Sequence, residues 1–345
     1  MKTKREIIID TLNGKKTDVV PYSFDMTKVI IEKLALSYGI LPDEVHEHIG
    51  DYMKYVYTSY ETGFIPERVN GNIRDDFGVV WNNGNETKNM GDWGGIVSSP
   101  LKSASLEGYE FPDPAAHGRF DSVVKESQKA NGRYVTMHMD GLFDVAWHVR
   151  GFEQLMMDFA CEEDFVNALL DKALEYNLGL IENTPDCVDG IRFGEDWGQQ
   201  KGLLMGARLW RKYLKPRLKE MYTAASARGF DVLIHSCGDI IEIFPDLIDM
   251  GVKAVNPIQP EVMDIRFIKQ EYGKDITLYG GLGCQSTIPS KSINDVLKEA
   301  QEHYILLSNS GRYIFGPAGA IPTETKIENV LALVEYVTNG YQTCI

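Results

Sequence analysis

GFDVLIHSCGDIIEIFPDLIDMGVKAVNPIQP, residues 229–260, sets the architecture of the chain. It holds two short apolar or β-branched runs, Val232–Ile234 and Lys253–Val255, separated by a longer amphipathic stretch. Alternation of this kind is the mark of parallel βαβ units, in which the chain returns to the sheet through a helix. The pattern continues on both sides, with Tyr134–Met137, Val188–Phe193, Ile276–Tyr279 and Tyr313–Phe315 reading as further strands. Ala207–Arg228 and Ile293–Leu307 read as helices. The first runs into Gly229, a glycine stop just before a strand. The second opens after Ser292, an N-cap with Asp295 in the first turn, where an acid suits the helix dipole.

Val19–Phe24 follows a short amphipathic helix ending at Gly14 and reads as a seventh strand. An eighth is expected between residues 25 and 130. The expected fold class is therefore α/β, a (β/α)8 TIM barrel, with residues 1–345 as a single domain. Residues 27–120 break the alternation and are expected as insertion-rich structure over the barrel mouth. Thr27–Gly39, Pro42–His48 and Tyr52–Gly63 read as helical. Gly71–Lys102 is rich in Gly, Asn, Asp and Trp, with short alternating segments such as Phe77–Trp81, and reads as hairpins and loops.

The composition is ordinary for a globular chain: 345 residues, 43% apolar and 25% charged. A net charge of −15 repels nucleic acid and anionic membranes, so neither is expected as a partner. The five cysteines, Cys161, Cys187, Cys237, Cys284 and Cys344, are odd in number and irregularly spaced. That predicts reduced thiols and a cytoplasmic protein. The opening MKTKREIIIDTLNG has neither the long apolar run nor the cleavage site of a signal peptide. No apolar stretch approaches the ~20 residues that cross a bilayer.

Barrel enzymes build their sites from residues at strand C-termini. The residues in those places here are Asp25, His138 and Asp140, Glu195-Asp196, His235-Ser236-Cys237, Asn256, Cys284-Gln285 and Gly316–Gly319. His235 and Cys237 are the sharpest pair, because imidazole nitrogen and thiolate sulfur are preferred zinc ligands and an i, i+2 spacing on a strand-end turn can aim both at one ion. A catalytic zinc needs a third protein ligand; Cys284, Glu195 and Asp196 are the candidates. Glu195 and Asp196 are also the candidate catalytic acids, one of the two being expected to face the mouth. Asp25, His138, Trp147, Asn256 and Gln285 are the candidate substrate contacts, with Trp81 and Trp93 as further aromatics that could line a planar ligand. His46 and His48 read as solvated. The glycines at 280, 281 and 283 do not form a dinucleotide fingerprint.

At these residues the chain resembles the uroporphyrinogen decarboxylase superfamily. The matching text is PYSFDM near the start, DDFGVVW at 75–81, LEGYEFPDP at 106–114, WHVRGFEQLMMD at 147–158, GEDWGQQKGLLMGARLWRKYLKP at 194–216, IHSCGDIIEIFPDLIDMGVKAVNPIQP at 234–260 and GRYIFGPAGAIPTETKIENVLAL at 311–333. The blocks span nearly the whole chain, and the resemblance by itself implies a (β/α)8 barrel that often pairs as a homodimer. The decarboxylase proper carries an arginine-rich motif after the first strand, where this chain reads Ser23-Phe24-Asp25-Met26-Thr27. An aspartate there opposes carboxylate substrates. The other branch, the corrinoid-dependent methyltransferases, carries His-x-Cys and a later cysteine on zinc. His235 and Cys237 match the pair, but the later cysteine's place is occupied by Gly316-Pro317-Ala318-Gly319-Ala320.

The resemblance therefore implies a methyltransferase that moves a methyl group between a small substrate and a corrinoid. The chain lacks the Asp-x-His-x-x-Gly signature of a cobalamin-binding domain, so the corrinoid is expected on a partner protein. A cofactor-free decarboxylase or lyase of a small acid or tetrapyrrole is the rival, for which Arg74, Arg150 and Arg192 are the cationic candidates. A non-catalytic barrel that binds a ligand is the third reading.

Overall fold

A computed structural model describes residues 2–58, 67–82 and 95–341. Seven strands form one curled parallel sheet: β1 (Met53–Val56), β2 (Tyr134–Asp140), β3 (Gly190–Gly194), β4 (Asp231–His235), β5 (Ala254–Ile258), β6 (Thr277–Leu282) and β7 (Tyr313–Pro317). Their order in the sheet is their order in the chain, and every neighbouring pair is parallel. β3, β5, β6 and β7 are buried along their whole length. A parallel sheet covered by helices requires that.

All six strands expected beyond residue 130 are present. The helix Ile293–Leu307 also stands, with the Ser292 hydroxyl accepting the Asp295 amide at 3.3 Å. The stretch expected as one helix over 207–228 is three pieces, Gly206–Leu209, a π-helical turn Trp210–Leu214, and Lys215–Ala227. Pro216 has no N–H to give the carbonyl one turn back, and the ladder loosens before it.

Two expectations are corrected. Tyr52–Gly63 is not helical where the structure describes it: Met53–Val56 is β1, in register with Tyr134–Met137, and residues 59–63 lie outside the described residues. The Asp51 carboxylate takes the Met53 amide at 3.2 Å, and pairing with β2 outweighs local helix preference. Val19–Phe24 is not a regular strand. It makes a single parallel bridge, Tyr22 to Phe315. Ser23 donates to the Phe315 carbonyl, Phe315 to the Pro21 carbonyl, and Tyr52 to the Tyr22 carbonyl. The segment thus lies between β7 and the approach to β1. Pro21 has no N–H and cannot extend the ladder.

The helix Lys4–Leu12 packs Ile8 and Leu12 against Met53, Tyr134, Leu233, Ala254, Tyr279 and Ile314. Met53, Tyr134 and Ala254 are the first residues of their strands, so this helix covers the strands' N-terminal ends. The C-terminal ends are left for a site. The described part of Gly71–Lys102 does supply hairpin strands: Asn72–Arg74, Val80–Trp81 and Ile96–Ser98 join the preceding Glu67–Val69 in a four-stranded antiparallel sheet, and residues 83–94 lie outside the described residues. Among the described residues, no helix is long and apolar enough to cross a membrane.

Candidate active site

The turns after β3, β4 and β5 are laced by backbone hydrogen bonds. Glu195 donates to the His235 carbonyl and Ser236 to the Asn256 carbonyl, each at 2.8 Å. The Ser236 hydroxyl accepts the Trp197 amide at 3.1 Å. The turn carrying Cys237 then touches the hairpin Gly198–Leu203. A Cβ on Gly198 would stand 2.4 Å from the Cys237 carbonyl oxygen, and one on Gly238 2.3 Å from the Gly198 carbonyl carbon. Only glycine on both sides permits that approach. The strand ends therefore hold His235, Cys237 and Asp196 in fixed relation.

The His235 Nε2 atom lies 3.6 Å from the Cys237 thiol and 4.0 Å from Asp196 Oδ1. Asp196 Oδ1 also accepts the Cys237 amide at 2.9 Å. One ligand atom from each of the three lies within 4.8 Å of the other two, the one such grouping among the described residues. Nitrogen, sulfur and carboxylate oxygen from three side chains form a donor set that zinc accepts, with a fourth position left for a substrate. On the other ring edge, His235 Nδ1 meets Asn256 Oδ1 at 2.7 Å. Arg192 Nη2 also approaches this Nδ1; in the tautomer that carries its proton on Nδ1 and donates to Asn256, the Nε2 lone pair faces Cys237 and Asp196. Burial and the Arg192 guanidinium hold His235 down to about 4, so the ring is neutral. Burial and Asp196 push the Cys237 thiol up to about 12.

Of the acidic pair, Asp196 faces the histidine and the cysteine, and Glu195 does not. Glu195 is fully buried and caps the helix Leu142–Arg150, accepting the Leu142 and Phe143 amides at 2.6 and 3.0 Å and the Trp197 indole at 3.1 Å. Burial raises its carboxyl to about 8 despite these donors. Cys284 is also outside the cluster. It is buried, and its thiol lies on the Gly319 carbonyl at 3.5 Å, in the loop where the resemblance implies a cysteine. The ligand-type side chain grouped with His235 and Cys237 is Asp196.

The expected substrate contacts divide. Asn256 is buried in the site beside His235, and Asp25 reaches Arg192 at 3.7 Å. His138 sits in β2 with Nε2 3.4 Å from Asp140 and a buried Nδ1 that makes no hydrogen bond. Trp147 donates to Asp144 Oδ1 at 3.0 Å and lines an open groove of about 510 Å³ with Ile96, Val97 and Phe152. Gln285 is exposed, with its backbone amide on Glu261. Trp81 is a core residue bonded to Asp75, and Trp93 and Cys344 lie outside the described residues. His46 is not merely solvated: it pairs with the buried Asp51 at 3.0 Å, and His48 packs on Tyr38.

Sequence reasoning missed Asp144. Its Oδ1 accepts both the Trp147 indole and the Asp196 amide, at 3.0 and 3.2 Å. Burial and then Asp196 raise its carboxyl well above the usual range. A first-turn aspartate three residues before a tryptophan was the available signal. Of the three cationic candidates only Arg192 belongs to the mouth; Arg150 is buried in an ion pair with Asp158 at 2.6 Å, and Arg74 lies in the antiparallel sheet.

The family model described as uroporphyrinogen decarboxylase (URO-D) matches residues 92–340. No curated protein sequence matches the chain. Among solved structures, a methyltransferase from Methanosarcina mazei superposes with a TM-score of 0.74 at 19% identity, covering 99% of this chain and 100% of that one. A B12-independent methionine synthase from Shewanella sp. W3-18-1, in complex with selenomethionine, superposes with a TM-score of 0.47 at 12% identity, covering 90% and 88%. The likeness to the first is one of fold.

Proposed function

Because the chain belongs to the uroporphyrinogen decarboxylase family, we propose that it is a methyltransferase of that family, moving a methyl group between a small substrate and a corrinoid on a partner protein. The observation that carries this reading is the convergence of Asp196, His235 and Cys237 at the ends of β3 and β4. These three residues would hold a zinc ion, which when bound polarises a substrate heteroatom as a Lewis acid. Asp196 takes the place of the sulfur implied after the last strand. Asn256 fixes the His235 ring, and Glu195 acts by position, seating the helix Leu142–Arg150 against the ligand turn. Asp25, His138, Trp147 and Gln285 are the further proposed substrate contacts. The scheme includes a closed eight-stave barrel in one domain, residues 21–24 serving as the stave between β7 and β1, and a cytoplasmic setting where a corrinoid protein can dock.

The test is methyl transfer to free cob(I)alamin from a panel of methyl ethers and methylamines, followed by the absorbance of methylcobalamin. Turnover by the zinc-loaded protein and its loss in His235→Ala support the reading; turnover unaffected by His235→Ala contradicts it. One observation favours the rival decarboxylase, namely Arg192 beside His235. It predicts release of CO₂ from a small acid by the metal-free protein.

A further inference from the structure

Arg192 lies in β3 with 5% of its surface exposed. Its contacts are one-sided. Nη2 donates to Asn256 Oδ1 at 2.9 Å and rests on His235 Nδ1. Nε is buried and makes no hydrogen bond. The nearest acid, Asp25, stands 3.7 Å from Nη2, an ion pair outside hydrogen-bond reach, and its side chain is 36% exposed. The Tyr55 ring lies against the guanidinium at 5.1 Å, and the Tyr55 hydroxyl meets that of Tyr279 at 2.9 Å. A buried cation is thus held by an amide oxygen, an imidazole and the face of one phenol, while its Nε–H is unpaired and its counter-ion stands beyond hydrogen-bond reach, partly in solvent. Buried donors in folded proteins are nearly always paired. A planar guanidinium with an unpaired N–H is a group that takes a carboxylate oxygen.

We propose that Arg192 docks the carboxylate of a small acid, and that Asp25 is the counter-ion this carboxylate displaces. Before binding, Asp25 balances the buried charge, which would otherwise be costly. On binding, the ligand carboxylate takes over that role and Asp25 swings toward solvent. The ring of His235 sets the length of the ligand. Arg192 occupies its Nδ1 edge, and Cys237 and Asp196 occupy its Nε2 edge. A carboxylate on Arg192 and a methyl-bearing heteroatom beside Cys237 and Asp196 then lie towards opposite edges of the ring, with the guanidinium next to the carboxylate. That arrangement suits a small acid whose methyl ether or methylamine is separated from its carboxylate. The identity of the reacting end rests on the methyl-transfer reading; the carboxylate dock does not.

The experiment is calorimetric titration of methoxyacetate, and of its neutral amide, into the metal-free protein. The expected result is binding of the acid and not the amide. Asp25→Asn is expected to tighten acid binding about tenfold, because a competing charge is removed. Arg192→Gln is expected to abolish it, and Arg192→Lys to retain a weaker form. Asp25 is half-exposed, so its variant decides the matter even if Arg192→Gln fails to fold. Equal binding of acid and amide, or acid binding by Asp25→Asn no tighter than wild type, overturns the proposal. Zinc uptake is read on the same preparations. Acid binding absent with zinc uptake intact overturns this inference alone, while zinc uptake absent with acid binding intact overturns the metal reading alone.

Discussion

Cys237 and Cys284 stand at equivalent places, each just past the C-terminal end of a strand in the same parallel sheet, and their surroundings differ. Cys237 has a histidine 3.6 Å from its sulfur and a carboxylate on its amide. Cys284 has a carbonyl oxygen and burial. Burial pushes both thiols up, so neither is a thiolate unaided. What separates them is company: the β3 and β4 turns interlock through paired glycines, while the β6 turn folds its thiol into the loop after β7. A ligand-type residue at a strand end becomes part of a site only when the neighbouring turn brings a second and third donor to it.

The contrast can be broken most forcefully at the β4 turn. His235→Ala and Cys237→Ser should each weaken zinc binding by more than about 100-fold, since even changes to the groups that orient a ligand cost about 10–100-fold. Competition against a chromophoric chelator measures this. Asp196→Asn is expected next, at about 10–100-fold, with Asn256→Ala near the lower end of that range. If Asp196→Asn bound zinc as wild type does, the third donor would have to be sought elsewhere.

Acidity gives a second handle. Coordination requires the thiolate, and the Cys237 thiol is pushed up to about 12 in the metal-free protein. Near neutral pH zinc must therefore displace a proton, so affinity should rise with pH and fall as acid is added. Titration in buffers of different ionisation heat should show about one proton released per ion from the cysteine. Zinc binding that is independent of pH between 6 and about 8 would separate the ion from the thiol.

Support for the ligand turn can be tested as stability. A Cβ on Gly141 would lie 2.1 Å from the Glu195 carboxyl. Gly141→Ala should cost about 1–3 kcal/mol in denaturant unfolding, the usual range for overpacking. An unchanged midpoint would mean that Glu195 does not seat that helix. The smallest effect is expected at the other cysteine: the Cys284 thiol faces the Gly319 carbonyl, so Cys284→Ser should change zinc affinity by less than the roughly 10-fold that loss of a ligand's partner costs.

Much of the fold was legible because parallel strands advertise themselves as apolar runs between amphipathic helices, and β2 through β7 were all readable that way. β1 was not. Met53–Val56 sits beside helical text, and only pairing with Tyr134–Met137, far along the chain, makes it a strand. Pro21 blurred the segment around Tyr22 by removing a ladder donor. Within the site, His235 and Cys237 were legible from spacing, but the choice between Glu195 and Asp196 was not. Adjacent residues in a turn point apart, and which one faces the mouth depends on the helix Leu142–Arg150 claiming Glu195. Asp144 was hidden for the same reason: its bond to the Asp196 amide joins residues that are distant in sequence.

The most direct test of the account is the metal content of purified protein after zinc loading and desalting, compared across wild type, His235→Ala and Cys284→Ser. About one zinc per chain is expected in wild type and in Cys284→Ser, and none in His235→Ala. A metal-free wild type, or a His235→Ala protein that retains its zinc, would contradict it.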